Sequence, residues 1–570
     1  MVDEQELTWR LSDPGMDLLE RAGLAGLYMA LRAATDAGVD LSPLTWHDED
    51  LKPDAVTIRW SGPAKPTFVK LIKWAWQVRD GVLYFPAVHD AKDSAMIQNR
   101  VAMHNGIMRT FLQHTNVQPK GEPVMQNIQL DENREVSISY QPPIIRPPKA
   151  KGSDEAPKAN VSKKLLKPWK DIDELFDRKG AFRNDLVRLS NWVYPGIAGR
   201  YGGESAWEGA PERALLLMLT PTVCFYLRLQ GEGGNWVFVI PDVADLEELN
   251  ATRRRMALNV DFVDVASLGD AGLRFLSEYA TRNPRKTLGA GCRVVAMGKV
   301  SYYASQSIRK SVLDVAPDLL PVKRYRILHR ELPNTYVSVK TQTPLNGAEV
   351  LKTKGRSKKR PKSTAQATDQ PKPAGFIKLP AARGRIADNL VSSRPWYTDL
   401  VVPLVWNLDE AERERKKLGT SLERAWFQAI CYQRSKLMKL IAEDDMWDTE
   451  AEKVFVEAFW ETLDALYAQE AAATERGGSR TVTERFEDLN DEIRRRLTQA
   501  KTRTLLRTAL ADLFAKAGRQ KSVRSHPAAV WRLIDHPDHW RKGRDLALLA
   551  LASHRKKDDR ASTTAQEKGA

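Results

Sequence analysis

Leu19-Glu20-Arg21-Ala22-Gly23-Leu24-Ala25-Gly26-Leu27-Tyr28-Met29-Ala30-Leu31 is the stretch from which the fold is read. Leu24, Leu27, Tyr28 and Leu31 recur at helical spacing, which predicts a buried helix over 17–34. Ala22, Gly23, Gly26 and Ala30 form a stripe of small side chains on an adjoining face. A glycine inside a helix costs roughly 1 kcal/mol relative to alanine, so two within one turn require a reason. Close approach of another backbone to that face supplies one.

Outward from this helix, Ala55 to Trp60 and Val136 to Tyr140 alternate as strands, and Asp93 to His114 reads as a second helix. Two Pro-Pro pairs, at 142–143 and 147–148, then interrupt all periodicity. The expected layout is an N-terminal α/β domain over 1–141, a linker over 142–161 and a second α+β domain over 162–340. In that second domain helices are expected at Ile172–Leu189, Asp242–Arg255 and Asp270–Tyr279. Val223–Leu229 and Trp236–Ile240 flank a glycine-rich hairpin turn, and Gly291–Met297 reads as a further strand. Residues 341–378 are rich in Lys, Arg, Ser, Thr and Pro and are expected to be a basic flexible linker or loop. Asp409–Ala442, Asp448–Ala473, Thr481–Ala517 and Ala528–His554 are long, amphipathic and low in glycine, which predicts a helical bundle over 379–555 followed by a disordered tail at 556–570. The fold class is therefore α+β, a mixed α/β N-terminal body followed by a C-terminal helical bundle.

Composition narrows the function. The 570 residues carry 88 Lys plus Arg against 73 Asp plus Glu, a net charge of +15 that favours polyanionic partners. No apolar run reaches the roughly 18–20 residues needed to span a bilayer, and the acidic N-terminus is unlike a signal peptide, so a cytoplasmic location with no membrane partner is expected. Cys224, Cys292 and Cys431 have neither disulfide nor metal spacing and read as reduced thiols.

Catalytic patterns are incomplete. Gly291 to Gly298-Lys299 has the wrong spacing for a phosphate-binding loop, with Val300 after the lysine. His47-Asp48 and His89-Asp90 are dipeptides of the kind used by metal-dependent phosphohydrolases, yet no further ligands are placed to complete them. His536-Pro537-Asp538-His539 lacks a third ligand for a tetrahedral site. The expectation is no catalytic residue, no metal and no cofactor. A metal-dependent nuclease or phosphohydrolase, or a protein-only scaffold, are the competing classes.

Nucleic-acid features are denser. Arg282, Arg285, Lys286, Lys299, Arg309, Lys310 and Arg324 crowd one stretch, with Tyr302 and Gln306 interleaved. Cations hold phosphates, tyrosine stacks on an unpaired base, and glutamine reads or wedges a groove. Asn191 and Arg200 flank or lie within the glycine-rich segment 196–203, which allows close backbone approach to a duplex. Arg496, Arg503 and Arg507 fall within about 40° of one another on a continuous helix. A solvated basic edge and an ordinary connecting loop explain the same residues without a ligand.

Two segments carry a family resemblance. Arg21-Ala22-Gly23-Leu24-Ala25-Gly26-Leu27 resembles the first helix of the large subunit of type I CRISPR Cascade complexes, in its myxan-type branch. Arg109-Thr110-Phe111-Leu112-Gln113-His114 resembles a matching segment of that family. The resemblance implies a nucleic-acid-binding subunit rather than an enzyme, one that recognises the protospacer-adjacent motif on double-stranded DNA, helps open the duplex and presents the target to a helicase-nuclease. The implied partners are a CRISPR guide RNA, double-stranded target DNA and its displaced strand, the Cascade backbone subunits, and the helicase-nuclease, or a transposition adaptor in a transposon-associated system. The C-terminal bundle then resembles the Cascade small subunit.

Overall fold

A computed structural model describes residues 4–89, 97–112, 123–131, 134–146, 164–165, 168–189, 207–229, 236–256, 263–282, 291–300, 303–338, 375–400, 437–475, 481–518 and 520–554. The chain opens with β1 (Glu4–Arg10) and α1 (Leu18–Asp36). A reciprocal cap starts α1: Glu20 N–H donates to Asp17 Oδ1 (2.9 Å), and Asp17 N–H donates to Glu20 Oε2 (2.8 Å). β2 (Leu44–Thr45) and β3 (Ala55–Ser61) complete a three-stranded antiparallel sheet in the order β1-β3-β2. α2 (Ala64–Ala75), the hairpin β4 (Gln77–Arg79) and β5 (Val82–Tyr84), and α3 (Ile97–Arg109) follow. The strands β6 (Val124–Asp131) and β7 (Arg134–Tyr140) pair with each other, as do β8 (Ile144–Arg146) and β9 (Lys164–Leu165).

The expected helix over 172–189 does not form. Pro168–Leu175 is a 3-10 helix, and the chain then turns into β10 (Val187–Leu189), which pairs with β11 (Trp207–Gly209). The cause is local. Asp177 Oδ1 accepts from the N–H groups of Lys179 (2.8 Å) and Ala181 (3.0 Å), and Gly180 takes a left-handed φ of 84°. The turn brings Phe176 and Phe182 together against Phe68.

α4 (Pro211–Leu217) and the single turn α5 (Thr220–Val223) explain the small-residue stripe on α1. A Cβ at Gly23 would lie 2.3 Å from the Leu216 carbonyl oxygen, and one at Gly26 would lie 2.5 Å from that of Leu219. The close backbone approach expected from the glycines is present. It is fixed by Thr220, whose hydroxyl donates to Leu19 O (2.7 Å), and by the Trp76 indole, which donates to Met218 O (3.0 Å). One hydrophobic core thus runs from Trp9 to Met297 and draws on both of the domains expected at 1–141 and 162–340. The boundary at 142–161 separates them in sequence but not in packing.

The central sheet is five-stranded, in the order β14-β12-β13-β15-β16: β12 (Phe225–Leu229), β13 (Trp236–Pro241), β14 (Asp264–Val265), β15 (Cys292–Val300) and β16 (Tyr303–Val315). Only β12 and β14 pair in parallel. Its strands alternate faces with period two. Tyr226, Trp236, Phe238, Ile240, Val295 and Met297 belong to the first core. Phe225, Leu227, Val237, Val239, Val294 and Ala296 belong to a second. The second core adds α7 (Leu268–Arg282), α8 (Leu319–Glu331), α9 (Ala381–Val391) and the C-terminal helices, while α6 (Leu246–Met256) gives Leu246 and Leu249 to the first core and Met256 to the second. β17 (Thr335–Ser338) and β18 (Gly375–Lys378) lead into α9.

The C-terminal helices are α10 (Glu450–Glu475), α11 (Val482–Gln499), α12 (Arg503–Ala517), α13 (Lys521–Ser525), α14 (Pro527–Asp535) and α15 (Trp540–Ser553). The helix expected over 481–517 breaks at Ala500-Lys501-Thr502, where Thr502 accepts from Leu505 N–H (3.3 Å) and caps α12. The helix expected over 528–554 breaks at His536–His539, around Pro537. Of the helix expected over 409–442, residues 437–442 are helical and 401–436 lie outside the described residues. The α+β class holds.

His104, on α3, stitches three elements together. Its Nδ1 accepts from Leu83 N–H (3.2 Å), so its Nε2 carries the proton and donates to Gln141 O (2.6 Å). Burial lowers its pKa to about 4. The folded value lies below the unfolded value near 6.5, so this stability is present above that pH and is lost as pH falls toward 4. Denaturant unfolding should lose up to about 3 kcal/mol between pH 7 and pH 4 on this account. The loss should shrink in His104→Gln; an identical pH profile for the two proteins would contradict the assignment.

Candidate nucleic-acid interface

β15 and β16 form a long hairpin at the edge of the sheet. Among the described residues β13 pairs with β15 from Pro241 to Trp236, opposite Cys292 to Met297, and β15 and β16 are paired on to Val300 and Tyr303. Lys299, Gln306, Arg309 and Lys310 all lie on this hairpin, and Tyr302 lies outside the described residues. The ladder is irregular at two places. Ala296 faces Ser311 and Met297 faces Arg309, which leaves Lys310 as the extra residue of a bulge. Lys299 faces Ser307 and Val300 faces Tyr303, which places Gln306 in the second irregularity. Bulges redirect side chains and bend a strand, so this arm differs from a plain edge.

The remaining sequence-selected residues divide. Arg282 ends α7, while Arg285, Lys286, Asn191 and Arg200 lie outside the described residues. Arg324 is corrected. Its guanidinium is buried, donating to Asp445 O (2.8 Å) and Trp447 O (2.8 Å) and pairing with Asp448 (2.7 Å). It ties α8 to the segment that enters α10, and all three of its guanidinium nitrogens are engaged inside the protein.

The single strip of Arg496, Arg503 and Arg507 is also corrected, because the break at 500–502 puts Arg496 on α11 and the other two on α12. Arg496 pairs with Glu492 one turn earlier (2.6 Å). Arg503 donates to Asp535 O (2.9 Å), and Arg507 pairs with the Asp535 carboxylate (3.0 Å) and lies over the Trp531 ring. Two arginines therefore cap the C-terminal end of α14, where a helix dipole favours cations. Arg507 and Lys501 remain exposed.

Of the candidate metal dipeptides, His47 precedes a short 3-10 turn and Asp48 pairs with Arg32 (2.6 Å). His89 is buried, with Nδ1 accepting from Phe85 N–H (3.0 Å). Asp90 lies outside the described residues. His536 and His539 stack on one another with ring centroids 4.0 Å apart. Among the described residues no group of three or more His, Cys, Asp or Glu is arranged to hold a metal. None of the described helices is long and apolar enough to cross a membrane.

Two charged features escaped the sequence reading. Asp270, Arg383 and Tyr325 form a buried network joining α7, α8 and α9. Arg253 is buried on α6 beside His89. The second had a readable signal, since Leu246, Leu249, Arg253 and Met256 share one helical face and only the arginine breaks its apolar character.

Similarity to known proteins runs along both ends of the chain. Residues 8–146 match the DevT N-terminal domain and residues 443–570 match the DevT C-terminal domain. Over 98% of its length the chain is 27% identical to the CRISPR-associated protein Cas8a1/Csx13 of Myxococcus xanthus (strain DK1622), covering 90% of that protein. The family resemblance carried by residues 21–27 and 109–114 is borne out by these matches.

Proposed function

We propose that this chain is the large subunit of a type I CRISPR RNA-guided complex. It recognises a protospacer-adjacent motif on double-stranded DNA, aids duplex opening and R-loop stabilisation, and presents the target to a helicase-nuclease. The observation that carries this reading is the similarity to Cas8a1/Csx13 along nearly the whole chain. A net charge of +15 and the basic edge hairpin β15–β16 are the physical counterparts. In such a complex guide pairing reads sequence, and protein reads a short motif and the shape of the duplex.

On this reading Lys299, Arg309 and Lys310 hold duplex phosphates, Tyr302 stacks at the point of opening, and Gln306 and Asn191 read or wedge the groove. The exposed cations Lys501 and Arg507 lie along the displaced strand, with Arg496 and Arg503 shared between that strand and their protein partners. The protein acts by binding, not by catalysis, and its partners are the guide RNA and the backbone subunits.

The test is reconstitution with backbone subunits and guide RNA, followed by duplex binding across a salt series on targets with intact or altered adjacent motifs. Gln306→Ala should narrow the preference for the intact motif and leave the salt slope nearly unchanged, because a groove contact carries no counterion term. Replacing Arg309 and Lys310 together should weaken both targets alike and flatten the slope by about one unit for each phosphate no longer neutralised. A complex that discriminates motifs equally well without this chain would overturn the proposal.

A further inference from the structure

The least compensated charge among the described residues is Arg253. Its residue is 4% exposed. Nε donates to Val223 O (3.1 Å), Nη2 donates to Cys224 O (3.2 Å) and approaches the Met103 sulfur (3.7 Å), and the guanidinium lies 4.2 Å from the Phe225 ring centroid. No carboxylate pairs with it among the described residues, and Nη1 has no partner there. Arg383 and Arg324, comparably buried, each meet an aspartate. Burial lowers the Arg253 pKa to about 10, which leaves it cationic at neutral pH. A desolvated cation held only by carbonyls and a ring is unfavourable unless something negative joins it.

A cavity of about 30 Å³ adjoins this charge, walled by Val88, Met103, Leu227 and Val263, with His89 on the same lining. His89 is also 4% exposed. Because its Nδ1 accepts from Phe85 N–H, the neutral ring carries its proton on Nε2, and that N–H finds no acceptor among the described residues. Burial first, then the fields of Arg253 and Arg100, push the His89 pKa well below its usual value, so the ring is a neutral N–H donor at neutral pH. Among the described residues no carboxylate side chain lines the cavity. The space suits a few water-sized atoms, not a base or a sugar. Two unpartnered donors, one of them a fixed cation, in a small apolar-walled recess are complementary to the oxygens of one tetrahedral anion.

We propose that the recess between α3, β12 and α6 is an anion site that takes a single phosphate group, the phosphodiester of a nucleic-acid strand passing over it. Arg253 supplies the charge and one N–H, and His89 supplies the second donor. The site deepens the proposed function and rests on it only for the carrier of the phosphate.

The test uses the full chain, with inorganic phosphate as the first probe. Thermal unfolding is followed in phosphate and in chloride at matched ionic strength for the natural protein, Arg253→Met, Arg253→Lys and His89→Phe. The natural protein should gain a few degrees in phosphate beyond the gain in chloride. Arg253→Met should respond about tenfold more weakly or not at all, yet unfold no earlier than the natural protein without phosphate, because an unpaired buried charge has been removed. If the methionine variant does not fold, Arg253→Lys keeps the charge without the fork and should show a reduced response. A surface response of a cationic protein would persist in every variant, and that result, or no phosphate-specific gain in the natural protein, overturns the site. Single-stranded RNA and DNA of one sequence are then tested for competition with phosphate, which identifies the carrying strand. Competition by neither, with the phosphate response intact, overturns the phosphodiester as occupant. Motif-selective binding by the reconstituted complex is scored separately, so failure of the site and failure of the proposed function are told apart.

Discussion

Arg383→Met should destabilise the protein by about 3–5 kcal/mol, the range for removing one partner of a buried ion pair. Arg383 and Asp270 are both 0% exposed at the side chain and lie 3.0 Å apart. Asp270 Oδ1 accepts from the Tyr325 hydroxyl (2.6 Å), and Oδ2 accepts from Ala266 N–H (2.8 Å) as well as from Arg383. Arg383 Nη1 donates to Leu332 O (3.0 Å), so one guanidinium ties α9 to α7 and to the end of α8. Burial alone would push the Asp270 carboxyl up; Arg383 and Arg274, with the Tyr325 and Ala266 donors, overcome it and hold the group below its usual value. Without Arg383 the carboxylate keeps its desolvation and loses its main compensation.

The pH dependence should follow. In the variant, the Asp270 pKa rises above its unfolded value, so the folded state is favoured below that pH and loses stability as pH rises through the shifted value. The gap between the variant and the natural protein should therefore narrow from pH 7 toward pH 4.5. Adding Asp270→Asn to Arg383→Met should cost less than the sum of the two single changes. Hydrogen exchange on α7, α8 and α9 is the suitable readout, because a chain with two cores need not unfold in one step. A variant within about 1 kcal/mol of the natural protein would show that the pair is dispensable.

How much of this was legible in the sequence depended on how local each determinant is. Period-two alternation marked β3 and β7 because each face of a strand records its own neighbour. The central strands β12, β13 and β15 are apolar on both faces, so they were legible as short apolar runs, the first two bounding a glycine-rich turn, and not by alternation. The helix expected at 172–189 failed because an Asx turn at Asp177 and a left-handed Gly180 outweighed a loose apolar spacing. The arginine strip failed for a related reason: a helical wheel assumes an unbroken helix, and Thr502 starts a new one. Arg324 was misread because charge in a sequence does not say whether a carboxylate waits 124 positions away, as Asp448 does. The core shared across 142–161 was illegible because linker composition marks an exposed segment, not the absence of packing between what it joins.

Gly23→Val should destabilise by on the order of 4 kcal/mol or more, which places it among the exceptional overpacking substitutions. Gly23→Ala and Gly26→Ala should cost roughly 2–3 kcal/mol each. In an ordinary helix interior the same glycine-to-alanine change gains about 1 kcal/mol, so the prediction is one of sign as well as size. The sign reverses because a Cβ at Gly23 meets the Leu216 carbonyl oxygen at 2.3 Å and its carbon at 2.6 Å. Those are backbone atoms of α4 and cannot rotate away as a flexible side chain would. Relief requires α1 to move from α4 and α5, which breaks the bond from Thr220 to Leu19 O and opens the first core. Gly543, inside α15, provides the control within the same chain. A Cβ there finds its nearest neighbour, Ile534 Cγ1, at 3.5 Å, an ordinary contact. Gly543→Ala should therefore stabilise by about 0.5–1 kcal/mol. Unfolding of the three alanine variants under one set of conditions decides the matter. If Gly23→Ala and Gly26→Ala match or exceed Gly543→Ala in stability, the small-residue stripe is not a backbone contact and the packing of α1 against residues 216–223 is wrong.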